Sequence, residues 1–566
     1  MPRTPSTPNA VTDGYIAAHR ERLELALAAI RKRDYWSAYP ESPSPRVYGE
    51  RAAADGEAAF RARLDTAWAG VTPGASGSVA TERSPYGFDL GIAYPRVRAD
   101  GLDDLMAAAR RGMRGWRDAG PDVRVDVCQE VLARLHRRVF ELAHAVQHTS
   151  GQAFVMAFQA GGTHALDRAL EALAYGYDEM TRHPASALWE KPGRGEPVRM
   201  DKTFTPVPRG VALVIGCHTF PTWNSWPGFF ASLVCGNPVV VKPHPGAVLP
   251  LAMTVEACRE VLVEAGFDPD LVCLAAEADG DRLAADLAVR PEVRLVDFTG
   301  SSHFGGWLEQ NATQAVVFTE KTGVNSVVID STDDFAGMCG NLAFSLALYT
   351  GQMCTAPQNL YVPADGIDTD EGHKSYDEVA AGLGAAFGTL LGDDKRAVEV
   401  LGAVVDDAVL SRLEAAPARG RVLVESRTVE HPAWPDARVR TPLLLGLSTA
   451  DRDAYAAECF GPVSYLIATA STEESIDTLV EVVLAGGAMT AAVYTSDERV
   501  LASMRVAALD AGVALSENLT GQVFVNQSAA FSDFHGTGAN PAANSAYTDA
   551  AYVASRFRIV QSRRPA

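Results

Sequence analysis

Apolar positions along this 566-residue chain keep a helical period at first and then change to short β-branched runs. Ile16, Leu23, Leu27 and Ile30 fall on one helical face. Residues 1–12, ahead of them, are rich in Pro, Ser and Thr and are expected to fray. In the stretch 33–50, RDYWSAYPESPSPRVYGE, prolines forbid a continuous helix, and the aromatics mark an N-terminal arm pinned against the body. The helical period returns from Leu102, with Leu105, Ala109, Met113 and Trp116, then Val131, Leu135, Phe140 and Leu142. It breaks at Ser150-Gly151, and a further helix is expected from about His164 to Met180.

Beyond that point the runs VALVIGC (211–217), NPVVVKP (237–243) and VRLVDFTG (293–300) are each bounded by Gly or Pro. The helical stretches WPGFFASLVCG and GAVLPLAMTVEACREVLVEAGF lie between them. Nearly all-apolar strands alternating with helices predict a parallel sheet covered on both faces, with ligands at the carboxyl ends of its strands. A second alternating block, about 323–525, holds SVVID, NLYVP, GRVLVES, GPVSYLIAT, TAAVYT and GQVFVN. VRMDKTFTPVP (198–208) alternates and carries Pro near its end, which suits an edge strand or a protruding arm.

Composition narrows the classes. With 47% apolar and 21% charged residues the chain is globular, and its length allows three or four domains, or two large ones with an appendage. The net charge of −20 argues against broad nucleic-acid binding but leaves room for an anionic ligand in a local basic pocket. No apolar run approaches the roughly 20 residues of a membrane span. The opening MPRTPSTPNAVTDGY has no apolar core, so neither membrane nor secretory signal is expected. None of the eight cysteines forms C-x-x-C, which points to a reducing compartment and mostly buried thiols. The twelve histidines show no clustered ligand spacing, and no metal site is expected.

Several residues bear chemistry, each with a plainer alternative. The common G-x-G-x-x-G fingerprint is missing, but FTGSSHFGG (298–306) follows a strand and can present backbone N–H groups and a helix start to a pyrophosphate. Lys242 ends an apolar strand; it either points at the ligand edge of the sheet or snorkels to the surface. Cys354, in YTGQMCTAP, is either a nucleophile or a buried small hydrophobe. Glu320 ends QAVVFTE as a paired structural acid or a general base. Glu458, in ECFGPV, can hydrogen-bond a ribose or cap a turn.

Taken in order and spacing, these pieces resemble the aldehyde dehydrogenase superfamily from about residue 100 to 560. The blocks are RGVALVIGCHTFP with GNPVVVKP, FTGSSHFG, Glu320 ahead of Thr322-Gly323, GQMCTAP, ECFGPV, TAAVYTSD and FVNQ. The resemblance implies an α/β, aldehyde dehydrogenase-like fold: a Rossmann-type cofactor domain, an α/β catalytic domain and a small oligomerisation arm. It divides the chain into an N-terminal extension (1–90), a cofactor-binding domain (91–322, interrupted by an arm at 186–205), a catalytic domain (323–528) and an oligomerisation tail (540–566). It makes Cys354 the nucleophile and Glu320 the general base. Lys242 and Glu458 would hold ribose hydroxyls, Ser301 and nearby backbone the pyrophosphate, and Phe460 would pack by the nicotinamide. His244, Gly300 and Gly305 complete the implied cofactor set. A cytoplasmic homodimer or dimer-based tetramer acting on an aldehyde is implied with them. Within the superfamily, RDYWSAYPESPSPRVYGE and CHTFPTWNSWPGFF look like the PaaN branch of phenylacetate catabolism. That branch implies a CoA-linked substrate, 3-oxo-5,6-dehydrosuberyl-CoA semialdehyde, oxidised to the matching acid.

Three departures from the family pattern matter. Pro-Trp-Asn-Phe-Pro has become Cys217-His218-Thr219-Phe220-Pro221, so Thr219 stands where an amide would hold the oxyanion, with Asn224 nearby as a substitute. Lys-Pro-Ser-Glu has become Lys242-Pro243-His244-Pro245; loss of that glutamate favours NADP, with NAD still possible. Glu-Leu-Gly-Gly has become Glu320-Lys321-Thr322-Gly323, which crowds a bare backbone approach. Two other readings stand beside hydrolytic oxidation: a CoA-acylating dehydrogenase, against which Glu320 argues, and a catalytically weak scaffold.

Overall fold

The computed structural model describes residues 10–566. Most of the stretch expected to fray lies outside these residues; Ala10 to Thr12 open the first helix, Ala10–Lys32. That helix turns Leu23, Ala26 and Ile30 into the largest core, against Gly120–Arg137 and His164–Thr181. The proline-rich stretch after it is pinned as expected. Tyr39 is buried, the Ser37 hydroxyl donates to Asp167 at 2.6 Å, and Trp36 meets Phe531 edge-on at 4.7 Å. The helical layer follows the apolar stripes through Leu102–Arg111, Gly120–Arg137 and Val139–Ser150. It stops at Gly151, whose φ of +80° is the left-handed conformation that ends a helix without cost only for glycine.

Two separate sheets form the centre. The first has five parallel strands in the order Val272–Leu274, Val239–Lys242, Val211–Ile215, Val293–Thr299 and Val316–Glu320. The second has seven, in the order Arg421–Val424, Leu443–Ser448, Val463–Thr469, Asn359–Pro363, Ser326–Ile329, Thr490–Tyr494 and Ala514–Glu517. Only its Arg421–Val424 edge pairs antiparallel. Helices cover both sheets, so their central strands are buried throughout, which is why they read as unbroken apolar runs.

Two strand expectations need correction. GQVFVN forms no strand: the Val523 carbonyl accepts from Asn341 and the Asn526 carbonyl from Thr355, so side chains take up its backbone groups. VRMDKTFTPVP is not an edge; it is the middle of a three-stranded sheet between Ser186–Lys191 and Phe557–Pro565. Its prolines are tolerated because the first neighbour pairs only as far as Thr203, leaving Pro206 and Pro208 one open side. Among the described residues no helix is long and apolar enough to cross a membrane.

Candidate active site

The carboxyl ends of the five-stranded sheet gather the implied residues. Strand register puts Lys242 beside Ile215, and Glu320 beside Thr299, which leads into Gly300 and Ser301. Cys354 arrives from the other sheet, on the loop before strand Asn359–Pro363, where Asn325 donates to its carbonyl at 2.8 Å. Ahead of Cys354 the chain makes a tight kink, with Tyr349, Thr350 and Gly351 at φ of 53°, 56° and 65°. A β-branched threonine in that region is strained and persists only when its surroundings impose it. They do: the Thr350 hydroxyl donates to the Leu401 carbonyl at 2.8 Å, and Gln352 donates to the Tyr349 and Ala403 carbonyls at 3.1 Å each.

Glu320 is buried. Asn224 donates to its Oε2 at 2.9 Å, and His535 Nε2 lies 3.2 Å from its Oε1. The same Nε2 lies 3.6 Å from Cys354 Sγ. Thiol, imidazole and carboxylate thus present atoms within 4.8 Å of one another. Sequence spacing hid this cluster, because His535 is 181 residues from Cys354 and 215 from Glu320. The segment that carries it crosses the open edge of strand Val316–Glu320. There Lys321 N–H donates to the Ala542 carbonyl, and Thr319 and Asn544 exchange hydrogen bonds. A local signal was present in HGTG, whose Gly536 and Gly538 both take φ of +72°.

Of the eight cysteines, six are buried; Cys217 and Cys354 keep partial exposure. Burial pushes the Cys354 thiol well above its ordinary pKa, and the Glu320 carboxylate pushes it the same way. Cys217 is raised to about 12 by burial, and its thiol donates to Asn224 Oδ1 at 3.6 Å. Asn224 is therefore held between Cys217 and Glu320. The Thr219 carbonyl is fixed by Gln152 Nε2 at 2.8 Å, which pins the loop that carries Thr219.

Lys242 is buried in an ion pair with Glu277, from the loop after Val272–Leu274. Burial raises the Glu277 carboxyl while Lys242 draws it down. His244 stacks on His218 with centroids 4.3 Å apart, and burial lowers it to about 3, so its ring is neutral. Ser301 caps the helix Ser302–Asn311, accepting from Phe304 N–H at 3.3 Å. Gly305 leaves room for the Lys321 stem, whose Cγ would lie 2.6 Å from a Cβ there. Lys321 pairs with Glu309, and the Thr322 and Ser302 hydroxyls meet at 2.5 Å. The two side chains that replace Leu-Gly are thus both taken up by this helix. Gly300 N–H donates to the Glu320 carbonyl at 3.0 Å, tying the turn to the site. Glu458 accepts from Gly323 N–H at 3.3 Å and is pushed up to about 7 by burial. Phe460 packs with Val404, Val405 and Val409. A buried Lys–Glu pair and a capped helix start at the carboxyl ends of one sheet, with the Glu458 carboxylate on a loop ahead of Val463–Thr469, fit a dinucleotide's ribose hydroxyls and pyrophosphate.

Comparison with known proteins agrees with this architecture. The Aldehyde dehydrogenase family model matches residues 74–545. The crystal structure of an NAD-dependent aldehyde dehydrogenase from Burkholderia multivorans is 57% identical, with a TM-score of 0.95 over 98% of this chain and 99% of that one. A 1-pyrroline-5-carboxylate dehydrogenase from Thermus with bound NAD shares the fold, with a TM-score of 0.72 at 18% identity over 94% of this chain and 99% of that one. Vanillin dehydrogenase from Pseudomonas fluorescens is 27% identical over 413 residues, 70% of this chain and 78% of that protein. The chain belongs to the aldehyde dehydrogenase family. It is an oxidoreductase that acts on aldehydes with a nicotinamide dinucleotide as acceptor.

Proposed function

We propose that this enzyme oxidises an aldehyde to the acid through a thioester on Cys354, which Glu320 then hydrolyses. The observation that carries the reading is the convergence of Cys354 and Glu320, from different sheets, on one cluster of side chains. The Cys354 sulfur attacks the aldehyde carbon, and the oxyanion is met by the Cys354 N–H and the Thr219 hydroxyl. A bound nicotinamide supplies the hydride acceptor. Glu320 takes a proton from the water that releases the acid. Release by CoA would not need that base, so hydrolysis is favoured over acylation.

Lys242, Glu277, Ser301 and Glu458 are proposed to hold the dinucleotide, with His244, Gly300, Gly305 and Phe460 shaping its walls. The carboxylate missing at Pro245 favours NADP only if no other group replaces it. Glu277, on the loop after Val272–Leu274, supplies a carboxylate on Lys242 and would repel a 2′-phosphate, so we favour NAD. The Burkholderia multivorans relative is NAD-dependent by its own description, which supports the same choice. The substrate proposed is the CoA-linked semialdehyde of phenylacetate ring cleavage, on the likeness of the N-terminal block and CHTFPTWNSWPGFF to the PaaN branch. We place the enzyme in the cytoplasm as a homodimer or dimer-based tetramer. Exposed Leu188, Val198, Ile559 and Val560 on the three-stranded sheet support association there.

The test is absorbance of the reduced nicotinamide with a panel of simple aldehydes and an enzymatically generated CoA semialdehyde, each with NAD and with NADP. Turnover that needs the CoA semialdehyde and prefers NAD is the expected result. Turnover with small aldehydes alone would remove the CoA assignment. Nicotinamide binding without turnover of any aldehyde would favour a scaffold.

A further inference from the structure

We propose that His535 carries the thiol proton of Cys354 to Glu320 and back, so that thiol, imidazole and carboxylate work as one proton relay. The inference rests on Cys354 being the nucleophile. Its basis is geometric: a single ring nitrogen, Nε2, faces both Cys354 Sγ at 3.6 Å and Glu320 Oε1 at 3.2 Å. The second carboxylate oxygen is occupied by Asn224 at 2.9 Å, so Oε1 is the free acceptor. The ring itself is fixed. His535 and Tyr547 exchange backbone hydrogen bonds of 2.9 Å, and the Trp223 ring meets the imidazole edge-on at 4.5 Å.

The relay answers a charge problem. A thiolate formed by losing its proton to water would place two negative charges within 4.8 Å in a buried site. Moving the proton to Glu320 instead leaves the net charge unchanged. The other ionisable groups around the pocket oppose a free thiolate or stand off from it. Cys217 and Glu458 both act to raise the thiol, and Tyr547 is held well above its ordinary range by burial. Arg168 lies 5.4 Å from the Trp223 ring rather than on the imidazole.

With the ring's own proton on Nδ1, the Nε2 lone pair takes the sulfur proton, and the Nε2–H so formed then gives it to Oε1. The sulfur lone pair forms the C–S bond, and the carbonyl π pair moves to oxygen. Hydride transfer is the cofactor's chemistry and leaves the relayed proton on Glu320. That proton goes to solvent, as the one proton the oxidation of an aldehyde yields. Glu320 then takes a proton from the attacking water. When the C–S bond breaks, this proton returns through Nε2 to the departing sulfur.

An internal transfer has a signature that simple orientation lacks: the thiolate fraction is set inside the site and not by the solvent. The experiment follows the rate at which iodoacetamide alkylates Cys354 against pH, in the full-length enzyme and in His535→Gln and Glu320→Gln, with the adduct mapped by mass spectrometry. The wild type is expected to be flat through the neutral range, while each variant climbs about tenfold per pH unit. His535→Asn serves if His535→Gln does not fold, with nicotinamide binding as the check. A wild-type rate that itself climbs tenfold per unit overturns the relay, as does a histidine variant that stays flat. Cys354→Ala with wild-type turnover would instead overturn the nucleophile reading, so the two failures are separable.

Discussion

Replacing Arg168 with Met should loosen the active site from outside it. The Arg168 guanidinium is fully buried in the helix His164–Thr181. It donates to Glu171 at 2.8 Å, to the Asp533 and Tyr547 carbonyls at 2.9 and 3.3 Å, and to the Ser528 hydroxyl at 3.1 Å. Three of these four bonds hold the segment that carries His535. Glu171 itself is cushioned, because it keeps Arg33, the Phe531 N–H and the Thr548 hydroxyl as partners. Hydrogen bonds from a charged donor contribute about 1.5–3 kcal/mol each. Asp533 is solvent-exposed, so with all three bonds to this segment taken at the low end Arg168→Met should lower its local opening energy by about 4.5 kcal/mol. That corresponds to roughly 2,000-fold faster exchange of the His535 and Tyr547 amides, which protect each other at present. Amide exchange read by mass spectrometry measures this directly, and kcat/KM should fall with it. Exchange at both amides within tenfold of wild type would refute the role given to Arg168.

Single features elsewhere give three further expected outcomes. Glu277→Gln removes the carboxylate paired with Lys242 and should shift the NADP-to-NAD affinity ratio about tenfold towards NADP, by fluorescence titration; an unchanged ratio contradicts the role given to Glu277. Gly351→Ala places a Cβ 2.5 Å from the Gly461 carbonyl oxygen at φ +65° and should cost about 2–4 kcal/mol in denaturant unfolding; a loss under about 1 kcal/mol would show that the kink yields freely. Glu82 accepts from the Val248 and Leu249 N–H groups and is pushed by burial from 4.5 up to about 7. A raised carboxyl stabilises the fold fully below its unfolded value and loses that contribution as pH rises through its folded one. Between about pH 4.5 and 7 the wild type should therefore lose about 3 kcal/mol relative to Glu82→Gln, and parallel pH curves would contradict the assignment.

The helical layer was legible because its apolar stripes face packed cores, Leu105 and Ala109 one and Trp116 another, and the break at Ser150-Gly151 is a glycine in the left-handed region. The central strands were legible because they are buried on both faces. Leu443–Ser448 was missed: its LLLGLS run does not alternate and has a glycine inside it. GQVFVN misled because alternation says nothing about which partner takes the backbone groups. Cys354, Glu320 and Lys242 were found through the order of family motifs. His535 and Glu277 were not, since each reaches its partner only through tertiary contact, His535 by a returning segment and Glu277 by the loop after the adjacent strand. A carboxylate does stand beside Lys242, but it is Glu277, from a different part of the chain than Pro245.

The central claim is that Cys354 carries the acyl group and Glu320 releases it. Its most direct test is Glu320→Gln mixed with NAD and a competent aldehyde at a pH alkaline enough to form the thiolate without Glu320, then quenched in acid and analysed by peptide mass spectrometry. The account predicts a single burst of reduced nicotinamide, close to one per site, and an acyl adduct mapped to Cys354. Steady turnover without an adduct, or an adduct on another cysteine such as Cys217, would contradict it.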